Sequence, residues 1–318
     1  MKHFITGGAG FVGSAVVAAL LSRGDQVVVY DNLSSGRREF LQPLQSSGRL
    51  ELIEADLLDF DTLLSVIETS SPEVVWHLAA NPDIRYGAEK TDLDLHQGTI
   101  ATYNVLEAMR RAGLNQIVFS SSSAIYGLPT KLPTPEDYGP LLPHSLYGAS
   151  KLACEGLVSA FCHTFGFRAW IFRFANVVGP NATHGIIPDL LAKLRRDQTK
   201  LEVLGDGRQR KSYIHVSDCV AGMIHGWLHG PDQLNIFNLG TDDDILISRI
   251  AEIVLEELGM SEVPIVYTGG EIGWPGDIPV MKLDCSRIKS LGWRPQYSSE
   301  QAVRLAVQAL IAQGYGLG

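Results

Sequence analysis

The sequence is poor in cysteine, has no long hydrophobic run and carries no excess of basic residues. Its 318 residues include 4 cysteines, and 26 Lys and Arg stand against 35 Asp and Glu, giving a formal net charge of −9. This charge argues against a nucleic-acid-binding surface, because phosphates would be repelled. No apolar run reaches the roughly 18 residues of a membrane-spanning helix, and "MKHFITGGAGFVG" has no signal-peptide character. We therefore expect a cytoplasmic protein without nucleic-acid or membrane partners.

The cysteines form no CxxC pair. Cys154, Cys162, Cys219 and Cys285 are far apart along the chain, which suits neither a disulfide framework nor a zinc site. The histidines show no metal-ligand spacing either. We expect reduced, mostly buried thiols and no metal site.

Up to about residue 180, short apolar runs alternate with longer helical patterns. The runs rich in β-branched residues are "KHFIT", "QVVVYD", "LELIEAD", "EVVWHLAA", "QIVFSSSS" and "AWIFRFAN". Such runs are typical of strands buried on both faces, and helical spacing separates them. The alternation predicts an α/β fold with a doubly wound parallel sheet. Shorter elements and Pro/Gly turns follow, so we expect one domain over 1–177, with a return segment near 212–240, and a smaller one over 178–318.

A glycine pattern follows the first predicted strand and opens the first predicted helix. In "ITGGAGFVGS", Gly7, Gly10 and Gly13 are spaced GxxGxxG. Glycine lets the backbone approach a pyrophosphate closely, and the helix N-terminus offers free N–H groups. The strand–turn–helix context is the one that a dinucleotide-binding motif requires.

Asp31 ends the second predicted strand, "VVVYDN". A carboxylate there can accept both adenosine ribose hydroxyls and would repel a 2′-phosphate, which favours NAD over NADP. Arg37 and Arg38 nearby keep NADP open as an alternative. Asp56 ends the next strand, where it either reaches the adenine or is an ordinary strand-end acid.

The stretch "HSLYGASKLACE" places Tyr147 four residues before Lys151. On a helix the two side chains share a face. A phenol is a poor base at neutral pH, but a nearby ammonium and a nicotinamide charge would lower its pKa and make it a usable acid–base group. A run of serines in "VFSSSSAIYG" precedes this helix, at the end of a buried strand where a ligand crevice is expected.

Together, "TGGAGFVG", "DNLSSG", "HLAA", "SSSSAIYG", "YGASK", "RFANVVGP" and "KSYIHVSD" resemble the extended short-chain dehydrogenase/reductase family. Within it, the chain is similar to NAD-dependent nucleotide-sugar epimerases of the UDP-glucose 4-epimerase type. The resemblance spans nearly the whole chain. It implies a Rossmann-like NAD-binding domain followed by a smaller C-terminal α/β domain that binds the nucleotide sugar.

The resemblance also assigns roles to individual residues. The implied catalytic residues are Ser122, Tyr147 and Lys151. The implied NAD-binding residues are Gly7, Gly10, Phe11, Val12, Gly13, Asp31, Asn32, Asp56, Leu57, Leu78, Ala79, Ala80, Ser120, Tyr147, Lys151 and Phe174. The implied substrate-binding residues are Ser122, Ser123, Tyr147, Asn176, Ile186, Leu204, Lys211, Trp274 and Asp277.

The implied reaction is epimerisation at C4 of a nucleotide sugar. Tyr147 would take the proton of the 4-hydroxyl while the C4 hydride passes to NAD, and the 4-keto sugar would turn over before the hydride returns. Related sugar dehydratases carry an Asp–Glu pair after the catalytic Ser or Thr. Here those positions are Ser123 and Ala124, neither of which can move a proton at neutral pH.

Several positions depart from the family pattern. Gly98 replaces an Asn, Lys211 and Trp274 replace two Arg residues that clamp phosphates, and Val178 replaces a Tyr. Lysine keeps the charge but loses the bidentate fork, and Trp274 either packs between the domains or contacts the ligand. Met281 is an adaptable side chain at the position that limits bulk on the sugar, so UDP-glucose, UDP-galactose and N-acetyl forms stay open.

Two other classes of function stay open as well. One is a reductase or dehydrogenase of the same superfamily, and the other is a non-catalytic NAD-binding member. The resemblance further implies a homodimer, formed by the helix before "QIVF" and the helix bearing Tyr147. The apolar side of "LACEGLVSAFC" fits that contact.

Overall fold

Strands and helices alternate through the first half of the chain, as the sequence predicts. The computed structural model describes residues 1–274 and 276–315. The chain divides into two units. The first comprises Met1–Ile125, Ser145–Arg173 and Met223–Phe237. The second comprises Tyr126–His144, Phe174–Gly222 and the described part of Asn238–Gly318.

The strands are β1 (Lys2–Thr6), β2 (Gln26–Asp31), β3 (Leu50–Glu54), β4 (Val74–His77), β5 (Gln116–Ser122), β6 (Arg168–Phe174), β7 (Asn176–Val178), β8 (Leu201–Val203), β9 (Arg210–Lys211), β10 (Tyr213–His215), β11 (Leu234–Leu239), β12 (Ile245–Leu246), β13 (Ile265–Tyr267) and β14 (Val280–Met281). The α-helices are α1 (Phe11–Ser22), α2 (Arg38–Leu41), α3 (Phe60–Ser70), α4 (Tyr86–Glu89), α5 (Ala101–Arg111), α6 (Leu146–Phe165), α7 (Ile186–Arg196), α8 (Val216–His229), α9 (Ile247–Glu257), α10 (Ser286–Ser290) and α11 (Ser299–Leu310). Short 3₁₀ turns span Gln42–Ser47 and Ser123–Tyr126, and π turns span Leu95–Ile100 and Ile311–Tyr315.

The sheet of the first unit has seven strands in the order β3-β2-β1-β4-β5-β6-β11. β1 pairs in parallel with β2 and β4, β2 with β3, and β4 with β5. The chain runs from β1 outward through β2 and β3 and then crosses to β4. The carboxyl ends of β1 and β4 therefore border the switch point at which open α/β sheets bind ligands. The predicted Rossmann-like doubly wound sheet is confirmed.

The first unit is held together by one apolar core. The helices α3, α5 and α6 pack side by side, and their buried residues share this core with the strands; examples are Val105, Val158 and Phe119. Burying each such side chain stabilises the fold by about 1.5–3 kcal/mol. The apolar, β-branched strands predicted from the sequence are buried here because both sides of the sheet are covered.

The helix α6 begins and ends at residues that its sequence signals. Ser145 is its N-cap and accepts the N–H of Gly148 at 3.0 Å, which satisfies one of the free donors of the first turn. Gly166 ends the helix with φ +72°, a conformation that favours glycine. These limits place Tyr147 in the first turn of α6 and Lys151 one turn later.

Among its described residues, the second unit contains small sheets, the helices α7, α9, α10 and α11, and the first half of α8. Its strands form the pairs β10-β7 and β13-β8 and the three-stranded sheet β12-β9-β14. The C-terminal helix α11 begins at a capping box formed by Ser298 and Gln301. The short strand β14 pairs in parallel with β9. Across 1–274 and 276–315, no helix has the length and apolar character to cross a bilayer.

Candidate active site

The turn between β1 and α1 brings backbone atoms to positions where no side chain fits. Gly7 has φ +70°, and a Cβ on it would lie 2.7 Å from backbone atoms of Ala79. A Cβ on Gly13 would lie 2.1 Å from the Gly7 carbonyl oxygen. Gly10 is the N-cap of α1 and offers no side-chain cap, so the first N–H groups of the helix are left for another acceptor. This cradle fits the pyrophosphate of a dinucleotide.

Asp31 is fixed beside this cradle by two backbone donors. Its Oδ2 accepts the N–H of Ala9 and its Oδ1 accepts the N–H of Leu33, each at 2.9 Å. Burial raises the pKa of this carboxyl, and the two N–H groups oppose that shift. An acid held at the end of β2 suits the ribose hydroxyls of NAD and disfavours the 2′-phosphate of NADP.

Asp56 ties the ends of two strands together. Asn32 Nδ2 donates to Asp56 Oδ2 at 2.8 Å, and the N–H of Leu58 donates to Asp56 Oδ1 at 2.9 Å. The Tyr30 hydroxyl donates to the Asp56 carbonyl at 3.1 Å. This is the behaviour of a strand-end acid, and the adenine contact stays a prediction.

The other predicted cofactor residues of the first unit lie at the carboxyl ends of its strands or in the first turn of α1. Phe11 and Val12 open α1 and are partly exposed. Those that follow β3 and β4 or lie in β5 are Leu57, Leu78, Ala79, Ala80 and Ser120. Phe174 is the last residue of β6 and belongs to the second unit.

A buried histidine that the sequence reasoning left without a role connects three of these elements. His77 Nδ1 lies 2.6 Å from Thr6 Oγ1 and its Nε2 lies 2.9 Å from Thr102 Oγ1. Burial, with a contribution from Lys151, lowers the pKa of His77 to about 3, so the ring is neutral. The His77 ring therefore connects β1 to α5 through β4. In the sequence, only the "HLAA" stretch pointed to this histidine.

Tyr147 and Ser122 both lie in the first unit. Ser122 Oγ accepts the N–H of Ala124 at 3.1 Å, and the Ser122 side chain is near enough to the Tyr147 phenol to lower its pKa in part. Ser122 is the last residue of β5, so a rigid strand and the first turn of α6 hold the pair. Ser123 follows in the 3₁₀ turn.

Lys151 is buried one helical turn further along α6. Its Nζ donates to the Ser120 carbonyl at 2.7 Å and lies 4.9 Å from the Phe119 ring centre and 5.8 Å from that of Tyr147. Burial lowers its pKa to about 8, although Glu155 and other neighbours raise it in part. The ammonium is thus held by a neutral carbonyl oxygen.

The expected lowering of the Tyr147 pKa is wrong for the protein by itself. Burial raises the pKa of Tyr147 to about 12, the hydrogen bond to Ser122 lowers it in part, and Asp94 raises it further. Desolvation opposes the phenolate more strongly than these neighbours favour it. A further positive charge beside the phenol is needed before it can act as a base.

Gly98 lies where the π turn before α5 packs tightly against the Ser150 side chain of α6, because a Cβ on Gly98 would overlap Ser150 Oγ. Ser150 Oγ donates to the Asp94 carbonyl at 2.7 Å and lies 3.0 Å from Thr99 Oγ1. The glycine at a position where the family pattern has an Asn therefore allows the turn to lie directly against α6. Among the described residues, Asp94 Oδ2 is buried without a partner.

In the second unit, three predicted substrate residues form one cluster. Lys211 and Asp277 form a buried ion pair, and Lys211 Nζ lies 4.9 Å from the Trp274 ring centre. Asp277 Oδ2 accepts the N–H of Gly273 at 3.0 Å. Both oxygens of Asp277 therefore have donors within this unit.

The remaining predicted substrate residues are distributed over the second unit. Asn176 opens β7, and its Nδ2 donates to the Ser212 carbonyl at 3.2 Å. Ile186 opens α7, and Leu204 directly follows β8. Met281, in β14, is buried.

The four cysteines are free and buried, as the sequence predicts. In the described parts of the chain, no group of three or more His, Cys, Asp or Glu side chains could hold a metal ion.

Comparison with known proteins identifies relatives over the whole length. A sequence model described as the NAD dependent epimerase/dehydratase family matches residues 3–240. The UDP-glucose 4-epimerase of Mycolicibacterium smegmatis is 31% identical over 315 residues, which cover 97% of this chain and 98% of the relative. A crystal structure of a UDP-galactose 4-epimerase is 39% identical and superposes with a TM-score of 0.87, covering 98% of this chain and 99% of the other. The Thermotoga maritima UDP-glucose 4-epimerase, solved with UDP-glucose, is 30% identical with a TM-score of 0.89 at the same coverage.

These comparisons confirm the predicted family resemblance, the predicted enzyme class and NAD as the cofactor. The glycine cradle between β1 and α1 and the Asp31 carboxylate held by two backbone N–H groups agree with NAD as the cofactor.

Proposed function

The chain belongs to the NAD dependent epimerase/dehydratase family, and on this premise we propose that it epimerises a nucleotide sugar at C4. UDP-glucose and UDP-galactose are the proposed substrate pair, with N-acetyl forms as the next candidates. The relatives' names support this choice. The observation that carries the proposal is a phenol in the first turn of α6, beside a serine at the end of β5 and one helical turn from a buried ammonium.

In the proposed reaction Tyr147 moves the proton of the sugar 4-hydroxyl. Ser122, whose side chain lies beside Tyr147, holds the hydroxyl oxygen of the substrate. NAD, when bound, supplies a hydride acceptor and a positive charge. That charge opposes the desolvation that raises the pKa of Tyr147 to about 12. Lys151 remains on the Ser120 carbonyl and offers its other protons to the cofactor ribose.

We propose that the first unit is the NAD-binding domain. Gly7, Gly10 and Gly13 would hold the pyrophosphate and Asp31 the adenosine ribose. Supporting observations are the cradle that any Cβ would fill and the two backbone donors that fix Asp31.

Epimerisation fits the site better than dehydration. The 3₁₀ turn after Ser122 continues with Ser123 and Ala124, and neither side chain can exchange a proton with the sugar at neutral pH. Removing and returning one hydride requires only Tyr147, Ser122, Lys151 and the cofactor.

We propose that the second unit binds the nucleotide sugar. Asn176, Lys211, Trp274 and Asp277 are the proposed polar and aromatic contacts, with Ile186 and Leu204 as apolar ones. Lys211 keeps a cation where the family has an arginine, but Asp277 already neutralises it. We therefore expect the diphosphate to compete with Asp277 for this ammonium.

We further propose a cytoplasmic homodimer that pairs through α5 and α6. Much of the apolar side of "LACEGLVSAFC" is directed into the core of the first unit, since Val158 and Phe161 are buried there. The exposed apolar side chains on these helices are Tyr103, Leu146 and Phe165, and these would form the contact. Light scattering should give twice the 34.7 kDa mass of the chain; a monomer at micromolar concentration would refute the dimer. Free, buried cysteines agree with a reducing compartment.

The decisive experiment is incubation with UDP-glucose and with UDP-galactose, each followed by NMR of the sugar. An epimerase converts either sugar into the other without net reduction of the cofactor, whereas a reductase or dehydrogenase changes the cofactor absorbance. Tyr147→Phe keeps the ring and removes the proton carrier, so we expect a loss of about 10²–10⁴-fold in rate. Full activity in Tyr147→Phe would refute the mechanism, and failure across a panel of UDP-, dTDP-, GDP- and CDP-sugars would refute the function.

A further inference from the structure

Three consecutive serines at the end of β5 face three different turns of α6. The Ser122 side chain lies beside Tyr147, and the Ser120 carbonyl accepts a hydrogen bond from Lys151 Nζ at 2.7 Å. The third contact is a hydrogen bond from Ser121 Oγ to Oε1 of Glu155, four residues beyond Lys151, at 2.5 Å. The three partners on α6 are spaced i, i+4 and i+8 and so share one face of the helix.

Arg173 in β6 also binds the Glu155 carboxylate, through both of its oxygens. Arg173 Nε donates to Oε1 at 3.0 Å, and Nη2 donates to Oε2 at 2.7 Å. The side chains of Arg173 and Glu155 are 4% and 7% exposed. A two-pronged, charge-assisted pair of this kind fixes both position and orientation. Removing one partner would leave the other charge buried alone, which is strongly unfavourable.

We propose that Glu155, held by Arg173, is a positioning residue for the reaction at Tyr147. Through Ser121 it keeps the serine run of β5 in register with α6, and its charge faces Lys151 from the next turn of the helix. This inference rests on the proposed function, because it presumes that Ser122 and Tyr147 act on a substrate.

Several groups face Lys151, and Glu155 is one of those that influence its pKa. Burial is the largest influence and lowers the pKa of Lys151, whereas Cys154, Glu155 and Asp94 raise it. His77 also faces Lys151 and is neutral. Removing the carboxylate of Glu155 should therefore move the titration of Lys151 to lower pH. Asp94 and Cys154 would still raise the pKa of Lys151 in part.

The experiment compares Ser121→Ala, Glu155→Gln and the double variant in the full-length, NAD-loaded protein. Ser121→Ala removes the tie to β5 but leaves the ion pair with Arg173. Glu155→Gln removes the charge with little change of shape. Glu300→Gln, which alters an exposed carboxylate paired with Arg249 on the second unit, is the matched control.

We expect each single variant to lower kcat roughly tenfold with KM nearly unchanged, because small displacements of reacting groups slow the chemical step. The double variant should be no slower than Glu155→Gln, since both changes act through one carboxylate. The basic limb of the pH profile should move to lower pH in Glu155→Gln and stay in place in Ser121→Ala. Glu300→Gln should behave like the unmodified protein.

A titration of lysine side chains by NMR needs no substrate and separates this inference from the proposed function. The Lys151 signal is assigned by its loss in Lys151→Met. Glu155→Gln should titrate at lower pH than the unmodified protein. An unchanged Lys151 titration, or unmodified kcat in folded Ser121→Ala, overturns the inference even if the enzyme is an epimerase. If no sugar nucleotide turns over, the titration alone decides the role of Glu155. Should Glu155→Gln fail to fold, Ser121→Ala decides it.

Discussion

Each unit contains a buried lysine in a polar cluster, and the two lysines are held in opposite ways. Lys151 is 4% exposed and donates to a neutral carbonyl, whereas Lys211 is 8% exposed and is paired with the carboxylate of Asp277. Burying an ammonium without a bonded counter-charge costs stability, and burial accordingly lowers the pKa of Lys151. Natural folds keep such a cost where function requires it. We therefore expect Lys151 to take part in the reaction, whereas Asp277 neutralises the charge of Lys211.

The sharpest test of this contrast is the activity of Lys151→Met. We expect kcat to fall by about 10²–10⁴-fold, because the cation beside the phenol is lost, while the free energy of unfolding is unchanged or higher. Sugar NMR measures the rate and urea titration the stability. Lys193→Met, at a partly exposed lysine paired with Asp189, is the control. A variant that keeps its activity would mean that Lys151 is structural.

The converse change, Lys211→Met, should act mainly on stability. It leaves Asp277 buried with its charge unpaired, so we expect the free energy of unfolding to fall by about 3–5 kcal/mol. Urea denaturation measures this loss. Lys211→Met combined with Asp277→Leu should recover much of it, since no buried charge then remains. If the single variant is as stable as the unmodified protein, the pair is not the buried ion pair described here.

The pH dependence of stability should also report the burial of Lys151. The pKa of Lys151 is about 8 in the folded protein against an ordinary 10.5, so between these values the unfolded chain binds more protons. Stability relative to Lys151→Met should then rise with pH, by at most about 1.4 kcal/mol per pH unit. Below pH 8 the difference in unfolding free energy between the unmodified protein and Lys151→Met should be constant. Parallel curves for the two proteins from pH 8 to 10 would contradict the low pKa.

The smallest expected effect concerns the aromatic ring beside Lys211. Trp274→Leu removes a ring that lies 4.9 Å from the ammonium and should lower the unfolding free energy by about 0.5–1 kcal/mol. Trp274→Phe keeps a π face and should lose less. Equal losses in the two variants would show that Trp274 contributes through packing alone. Thermal melts of both variants in one buffer make the comparison.

Features local in the sequence were predictable because their chemistry depends on spacing. The glycine turn directly follows β1, the acid is the last residue of β2, and Tyr147 and Lys151 are four residues apart on α6, so each feature depends on residues close together in the sequence. The Glu155–Arg173 and Lys211–Asp277 ion pairs were not predictable in the same way. Lys211 and Asp277 are 66 positions apart, and no periodicity connects them.

By itself, the sequence determined the doubly wound sheet, the glycine turn after β1 and the placement of Tyr147 and Lys151 on one helix face, because strand burial, glycine geometry and helical spacing follow from residue order. Only the tertiary structure decided how strongly those groups hold their protons. Desolvation acts through atoms brought together from distant segments, and here it moves the pKa of Tyr147 up and that of Lys151 down.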